Sequence, residues 1–459
     1  MNRDALREEL FEALGEVPVI DVHTHLVDGK LGARGLHDIV LYHMAVSDLY
    51  AAGCPSGHRL TEYPGWPTEE EARSRMEEAL PYLSWTRNTS ISWGIRMILK
   101  DLYGWEEPLT SDNWKKLDAR IKERRDDPTW QRSILQRLHI RRVGTEYMRR
   151  EDGSDDDILQ YALEWAFFVR CQWGEYDTPL YELERCWGQP PSSPTPIGAG
   201  ERPTTEKTIR TVDDVREAVS YYVETLAQLP PEELKDTVKL VATTIHISTD
   251  LDLRRTGDDR MKNALERRSE AGEEERSVYA SYILEAFLAE MGVRAPNLTV
   301  QFSFGAEPLP HETMARMGQE TLGQVAEFIG RHDKVSFQCF LASRHAHHTL
   351  CTLCRELPNL SLAGYWWHTF FPPAIRSMMD ERLDMVPLNK QIGFFSDAYC
   401  AEWIYGKSLI ARNCMADVLS KKVALGQYSK DDALSVARSM LFDTPQSLLG
   451  FEPSLALSG

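Results

Sequence analysis

The sequence has no run approaching the roughly 20 consecutive apolar residues of a membrane-spanning helix, so no span and no membrane partner are expected. It also lacks an excess of basic charge: 52 Lys and Arg stand against 70 Asp and Glu, a net charge of −18. Such a chain has no general footprint for a nucleic-acid backbone, although a single cleft could still hold a small anion. There is no P-loop, no G-x-G-x-x-G turn and no G-x-S-x-G elbow, which removes the usual signatures of nucleotide, dinucleotide and serine-nucleophile chemistry. No internal repeat of fixed period is visible. The eight cysteines, at 54, 171, 186, 339, 351, 354, 400 and 414, are scattered and form no small-domain disulfide framework. The first 17 residues read as an amphipathic helix with scattered acids rather than a signal peptide. A reduced, cytoplasmic protein is expected, in which the sequons at Asn88 and Asn297 are chance matches.

What is present is a globular composition, 42% hydrophobic and 10% aromatic over 459 residues, able to bury a large core. Short apolar runs alternate with helical stretches. Val17–His23, Lys239–His246, Leu298–Gly305, Val335–Ala342, Leu360–Trp367 and Gln391–Ser396 read as strands covered on both faces. Weaker strands near Ala45–Leu49 and Ile140–Tyr147 bring the count to eight. Helices such as Glu312–Arg331 and Arg344–Leu357 follow them. The alternation predicts an α/β fold with a parallel sheet: a (β/α)8 TIM barrel first, an open doubly wound sheet second. Residues 1–54 carry the N-terminal helix and the first strands, 55–135 an inserted helical subdomain, and 136–459 the rest of the barrel and the C-terminal helices. The Pro-rich stretch Gly188–Thr205 reads as irregular chain, and the mixed-charge stretch Arg254–Arg276 as a solvated, partly helical excursion.

The strongest local signal is Asp21-Val22-His23-Thr24-His25. Residues two apart on a strand share a face, so His23 and His25 project together from the C-terminal end of the first strand, where barrel active sites are built. Two neutral imidazoles side by side can bind a divalent transition metal; the alternative is a pair of surface histidines. Far downstream, Asp397 follows the apolar run Ile392–Ser396. Closure of a barrel would set the eighth strand beside the first and bring Asp397 to the histidines as a third ligand, unless it merely caps the next helix. His246 ends the apolar run Leu240–Ile245 and so also faces the mouth, as a metal ligand, a general base or a wall residue. His368 has the same geometry toward substrate. The cluster His345, His347, His348, Cys351 and Cys354 suggests zinc, but both cysteines fall on one helical face with Leu350 and Leu357, which is ordinary packing.

These motifs resemble the amidohydrolase superfamily and, within it, the uronate (glucuronate) isomerases. The likeness covers most of the length. Arg87–Trp93 and Leu102–Trp105 resemble that family's inserted segment, Gln301–Ala306 its fifth-strand motif, Ala363–Trp367 its paired-tryptophan strand, and Ser396-Asp397 its last-strand end. The resemblance implies a barrel of the amidohydrolase type and aldose–ketose interconversion of a small sugar acid. The implied cofactor is a divalent metal, Zn2+ being the expected ion, on His23, His25 and Asp397. It further implies Asp397, Tyr42 or His43, and His246 as proton-transfer groups, Arg202 of an R-P-D-like triplet on the substrate carboxylate, and Trp366, Trp367, His368 and Tyr399 lining the substrate. A homo-oligomer is expected.

Departures accompany the likeness. Ser303 stands where the isomerases carry a histidine near the metal, Tyr399 where they carry an arginine, and Glu307-Pro308 where a second arginine is expected. Ile245 replaces the Asp of a D-H pair. Bidentate arginine is the usual grip on a carboxylate. A metal-dependent hydrolase or lyase on another sugar-derived acid is therefore the second reading, and a non-catalytic ligand-binding relative the third.

Overall fold

The computed structural model describes residues 3–26, 31–55, 68–145, 158–161, 178–187, 207–227, 240–241, 253–296, 299–304, 319–342, 344–366 and 369–450. It is an α/β structure whose described strands all pair in parallel. β1 (Val19–Thr24), β2 (Ile140–Thr145) and β3 (Leu159–Tyr161) form one sheet, and β4 (Leu240–Val241), β5 (Thr299–Phe304), β6 (Ser336–Leu341), β7 (Leu360–Ala363) and β8 (Gln391–Ile392) a second, each in sequential order. Among the described residues, helices follow β1 and each strand from β3 to β8, which is the connection that parallel pairing demands. Among the described residues, no helix is long and apolar enough to cross a membrane.

The run Ala45–Leu49, expected as a strand, lies inside the helix His43–Ala51. Ala45, Val46 and Leu49 are buried while Ser47 and Asp48 are half-exposed, a one-sided pattern with helical rather than alternating period. The second strand is instead Ile140–Thr145, and the third, Leu159–Tyr161, is too short to stand out in the sequence. The 55–135 region is largely helical where described, with helices at Glu69–Ala79, Ser90–Tyr103, Trp114–Arg125 and Pro128–Arg137, the last running two residues past its end. Local chemistry sets these ends: Thr68 and Glu71 form a capping box, and Gly104, at φ 62°, closes the helix Ser90–Tyr103 in the left-handed conformation. Within the 254–276 excursion, Asp258–Glu266 is helical. Gly188–Thr205 lies outside the described residues.

Two features bring the ends of the chain together at the C-terminal end of β1. The helix Ala401–Ala424 is buried around most of its circumference, packed against the helices Arg3–Gly15, Ser90–Tyr103 and Pro372–Met385. Between β8 and that helix, the extended segment 393–398 runs beside β1 rather than pairing with β7. Ser396 N–H donates to the Asp21 carboxylate (2.9 Å), Asp397 N–H to the His23 carbonyl (2.9 Å), and His25 N–H to the Ala398 carbonyl (2.9 Å). On the other flank of β1, Gly144 is required: a Cβ there would lie 2.7 Å from the Val22 carbonyl oxygen. Thr24 Oγ1 bonds the Gly144 carbonyl and Thr145 Oγ1 the Leu26 carbonyl, fixing the end of β1 against β2.

Candidate metal centre

His23 and His25 leave β1 toward the same spot, their rings nearly perpendicular with centroids 5.2 Å apart. Phe340 of β6 and Phe395 flank the His23 ring, while Tyr399 lies 4.7 Å from that of His25. The Asp397 carboxylate meets both: Oδ1 is 3.0 Å from His25 Nε2 and 3.4 Å from His23 Nε2. Among the described residues these three form the single group of His, Cys, Asp or Glu whose ligand atoms lie within 4.8 Å of one another. Two ligands about 2.1 Å from a tetrahedral ion sit roughly 3.4 Å apart, so the spacing fits a divalent ion. Two imidazoles and a carboxylate with positions left open are also the donor chemistry of a catalytic site.

Asp397 is held by its backbone as well as its side chain. It has φ 53°, the left-handed region that Asp tolerates better than most residues. Burial raises its carboxyl, but hydrogen bonds from His23 and His25 and the charges of His25 and Lys407 outweigh that and hold it well below the usual carboxylate range. It is therefore ionised, as a ligand must be. Asp21, fully buried one step behind, is different: burial pushes it up to about 6 despite the Ser396 and His23 N–H groups bonded to it. The Lys407 ammonium, 1% exposed, is lowered to about 8 by burial against the pull of Asp397 and Asp21.

Other predicted residues fall at different depths. Tyr42 is buried; its hydroxyl donates to the Asp397 carbonyl and accepts from Lys407 Nζ (2.9 Å), and its ring packs on Tyr399, Trp403 and Phe370. It thus supports the back of Asp397 rather than its carboxylate. Tyr399 bridges the His25 and Tyr42 rings. Trp366, 4% exposed, belongs to an apolar cluster with Val22, Phe340, Ile392 and Phe395 beneath the centre. His43 lies in the helix that follows Tyr42. His246, Arg202, Trp367 and His368 lie outside the described residues, as do Ile245 and Glu307-Pro308. Ser303 is buried, its Oγ without a hydrogen-bond partner among the described residues.

Sequence reasoning missed Lys407 and Glu402. Glu402, also 1% exposed, accepts from Ala33 N–H (2.9 Å) and the Tyr103 hydroxyl (2.6 Å), tying the segment after β1 to the helix Ser90–Tyr103. The available signal was two charges of opposite sign, five residues apart, in the mostly apolar stretch Ala401-Glu402-Trp403-Ile404-Tyr405-Gly406-Lys407-Ser408-Leu409-Ile410.

No protein-family model matches the sequence. No curated protein matches it significantly. Solved structures do match. A uronate isomerase from Thermotoga maritima superposes with TM-score 0.72 at 13% identity, covering 97% of both chains. A glucuronate isomerase from Caulobacter crescentus gives TM-score 0.70 at 13% identity over 100% of this chain and 96% of its own. A uronate isomerase from Bacillus halodurans C-125 gives 0.69 at 15% identity over 99% of both. At such identities the likeness is one of fold, and it runs the whole length.

Proposed function

We propose that this chain is a divalent-metal enzyme of the uronate-isomerase kind, acting on a small sugar acid, and that its two parallel sheets belong to one amidohydrolase-type (β/α)8 barrel. The observation that carries the reading is the meeting of His23, His25 and Asp397, 372 residues apart along the chain, where the segment after β8 crosses β1. Fold alone does not choose a reaction; the residues of the site do. His23, His25 and Asp397 would hold the ion, Zn2+ by preference, and it would supply Lewis-acid polarisation of substrate oxygens there. The alternative role for Asp397 in this proposal, in place of ligation, is to exchange the proton moved between adjacent substrate carbons. Phe340, Phe395 and Tyr399 exclude water around the histidines. His246 and His43 remain in this proposal as proton-transfer groups, and Arg202, Trp367 and His368 as substrate-side groups.

The test is metal analysis followed by a sugar-acid panel assayed by NMR in D2O. Isomerisation places deuterium on carbon, whereas a hydrolase incorporates solvent oxygen and a lyase releases an alkene. Metal binding with no turnover of any panel member would favour a ligand-binding protein. Within the panel, D-glucuronate and D-galacturonate are expected to be poor substrates, because Ser303, Tyr399 and Glu307-Pro308 replace a histidine and two arginines of the isomerases. Losing such a charge-assisted grip costs roughly 10²–10³-fold in rate. Turnover of either uronate at ~1–10³ s⁻¹ would contradict this.

A further inference from the structure

The proposed chemistry gives no task to Lys407, the buried cation that lies against the backbone of Asp397. Lys407 Nζ donates to the Tyr42 hydroxyl (2.9 Å) and to the carbonyls of Ser396 (2.5 Å) and Asp397 (3.1 Å). Three acceptors exhaust an ammonium. The faces of Tyr42 and Phe370 enclose it at 4.8 and 4.5 Å from their centroids. Among the described residues, no carboxylate lies within ion-pairing distance of it. Burying a charge on neutral carbonyls is costly, so a compensating advantage is expected at the place where they sit. They sit on the peptide units that bracket the left-handed Asp397.

We propose that Lys407 is a positioning residue: its ammonium, with the Tyr42 phenol, pins the Ser396 and Asp397 carbonyls and so aims the Asp397 carboxylate at the His23 and His25 nitrogens. The Asp397 N–H is already fixed on His23; without the ammonium, the Ser396 carbonyl would lose its bond to Lys407 and the Asp397 carbonyl would keep only the Tyr42 hydroxyl of its two side-chain donors. The role rests on reading the cluster as a metal centre. Two effects of Lys407 on a bound ion oppose each other. Its positive charge repels the ion, whereas its hold on Asp397 presents a ligand to it. Removing the charge without disturbing Asp397 should tighten metal binding; removing the hold should loosen it. The sign of the change decides between them.

The experiment compares the parent with Lys407→Met, which keeps the bulk of the side chain and removes all three bonds. Zinc affinity is measured by chelator competition, and both proteins are crystallised metal-free. The expected result is a folded variant whose zinc affinity falls 10–100-fold, the range for lost partners of metal ligands, with Asp397 leaving its left-handed conformation. In an Asp397→Asn background the same substitution should change zinc affinity little, because Lys407 acts through that carboxylate. Unaltered Asp397 geometry with equal or tighter zinc binding would overturn the proposal. If the parent binds no divalent ion, the metal-centre reading fails, and the metal-free structures alone decide whether Lys407 positions Asp397. If Lys407→Met does not fold, Tyr42→Phe takes its place, with a smaller loss of zinc affinity expected and the same overturning result.

Discussion

Among the described residues, the histidines at the end of β1 and those on the helix His347–Glu356 both lie beside other metal-ligand side chains, and the two clusters behave differently. At the ends of β1 and β8, His23, His25 and Asp397 point their side-chain ligand atoms at one another. On the helix His347–Glu356, by contrast, the groups are occupied by neighbouring backbone. His347 Nε2 bonds the Met378 carbonyl (3.0 Å) and lies 3.4 Å from Cys351 Sγ, while Cys354 Sγ bonds the Leu360 carbonyl (3.2 Å). Burial also pushes the Cys351 and Cys354 thiols up to about 11, away from the thiolate a metal needs. Strand ends leave side chains free to converge, whereas the face of a packed helix uses them to satisfy carbonyls.

The largest expected effect breaks the first cluster. A His23→Ala/His25→Ala variant grown with zinc should lose essentially all of its metal, against one ion per chain in the parent, by elemental analysis. His347→Ala/Cys351→Ala should keep the parent's metal content, and loss of metal there would erase the contrast. That second pair should instead lower stability, by about 0.5–1.5 kcal/mol for the lost His347 hydrogen bond plus a packing loss, seen in urea denaturation.

A comparable stability loss is expected from Gly364→Ala. Gly364 has φ 48° and a Cβ there would lie 2.2 Å from Phe395 Cδ1. Strain and displacement together should cost about 2–4 kcal/mol, and because Phe395 leads into Ser396 and Asp397, zinc affinity should fall with it. Wild-type stability in that variant would mean that the turn adapts freely.

The smallest effect concerns pH. Burial pushes the Glu402 carboxyl up from 4.5, against the hydrogen bonds from Tyr103 and Ala33. The native state therefore binds a proton that the unfolded chain has lost, so this group's contribution is fully present below pH ~4.5 and disappears as pH rises through the folded value. Glu402→Gln should remove that slope, and metal-free parent and variant should diverge in thermal melts as pH rises above about 4.5. Parallel curves would show that Glu402 titrates normally.

Much of this was legible in the sequence. The H-x-H after a buried run and the Asp after the last run identified the central group, because strand alternation and the parallel order of the sheets are rules a sequence carries. The helix His43–Ala51 was misread because a five-residue apolar window holds too little of either period, and β3 because three residues carry no pattern at all. Lys407 and Glu402 were missed for another reason. Their meaning lies in backbone carbonyls and amides supplied from elsewhere, and a backbone group leaves no letter in the sequence.

The hydrogen bonds between β1 and the segment after β8 also constrain when the centre can exist. Its imidazoles emerge from the ribosome hundreds of residues before its carboxylate, and the lysine beneath it later still. Until then His23 and His25 form only an incomplete chelate, open to weak, adventitious ions. Contacts of such long sequence separation are closed late in folding. A nascent chain stalled before Asp397 should therefore carry both imidazoles and no high-affinity centre, making metal loading itself a report that synthesis has passed β8.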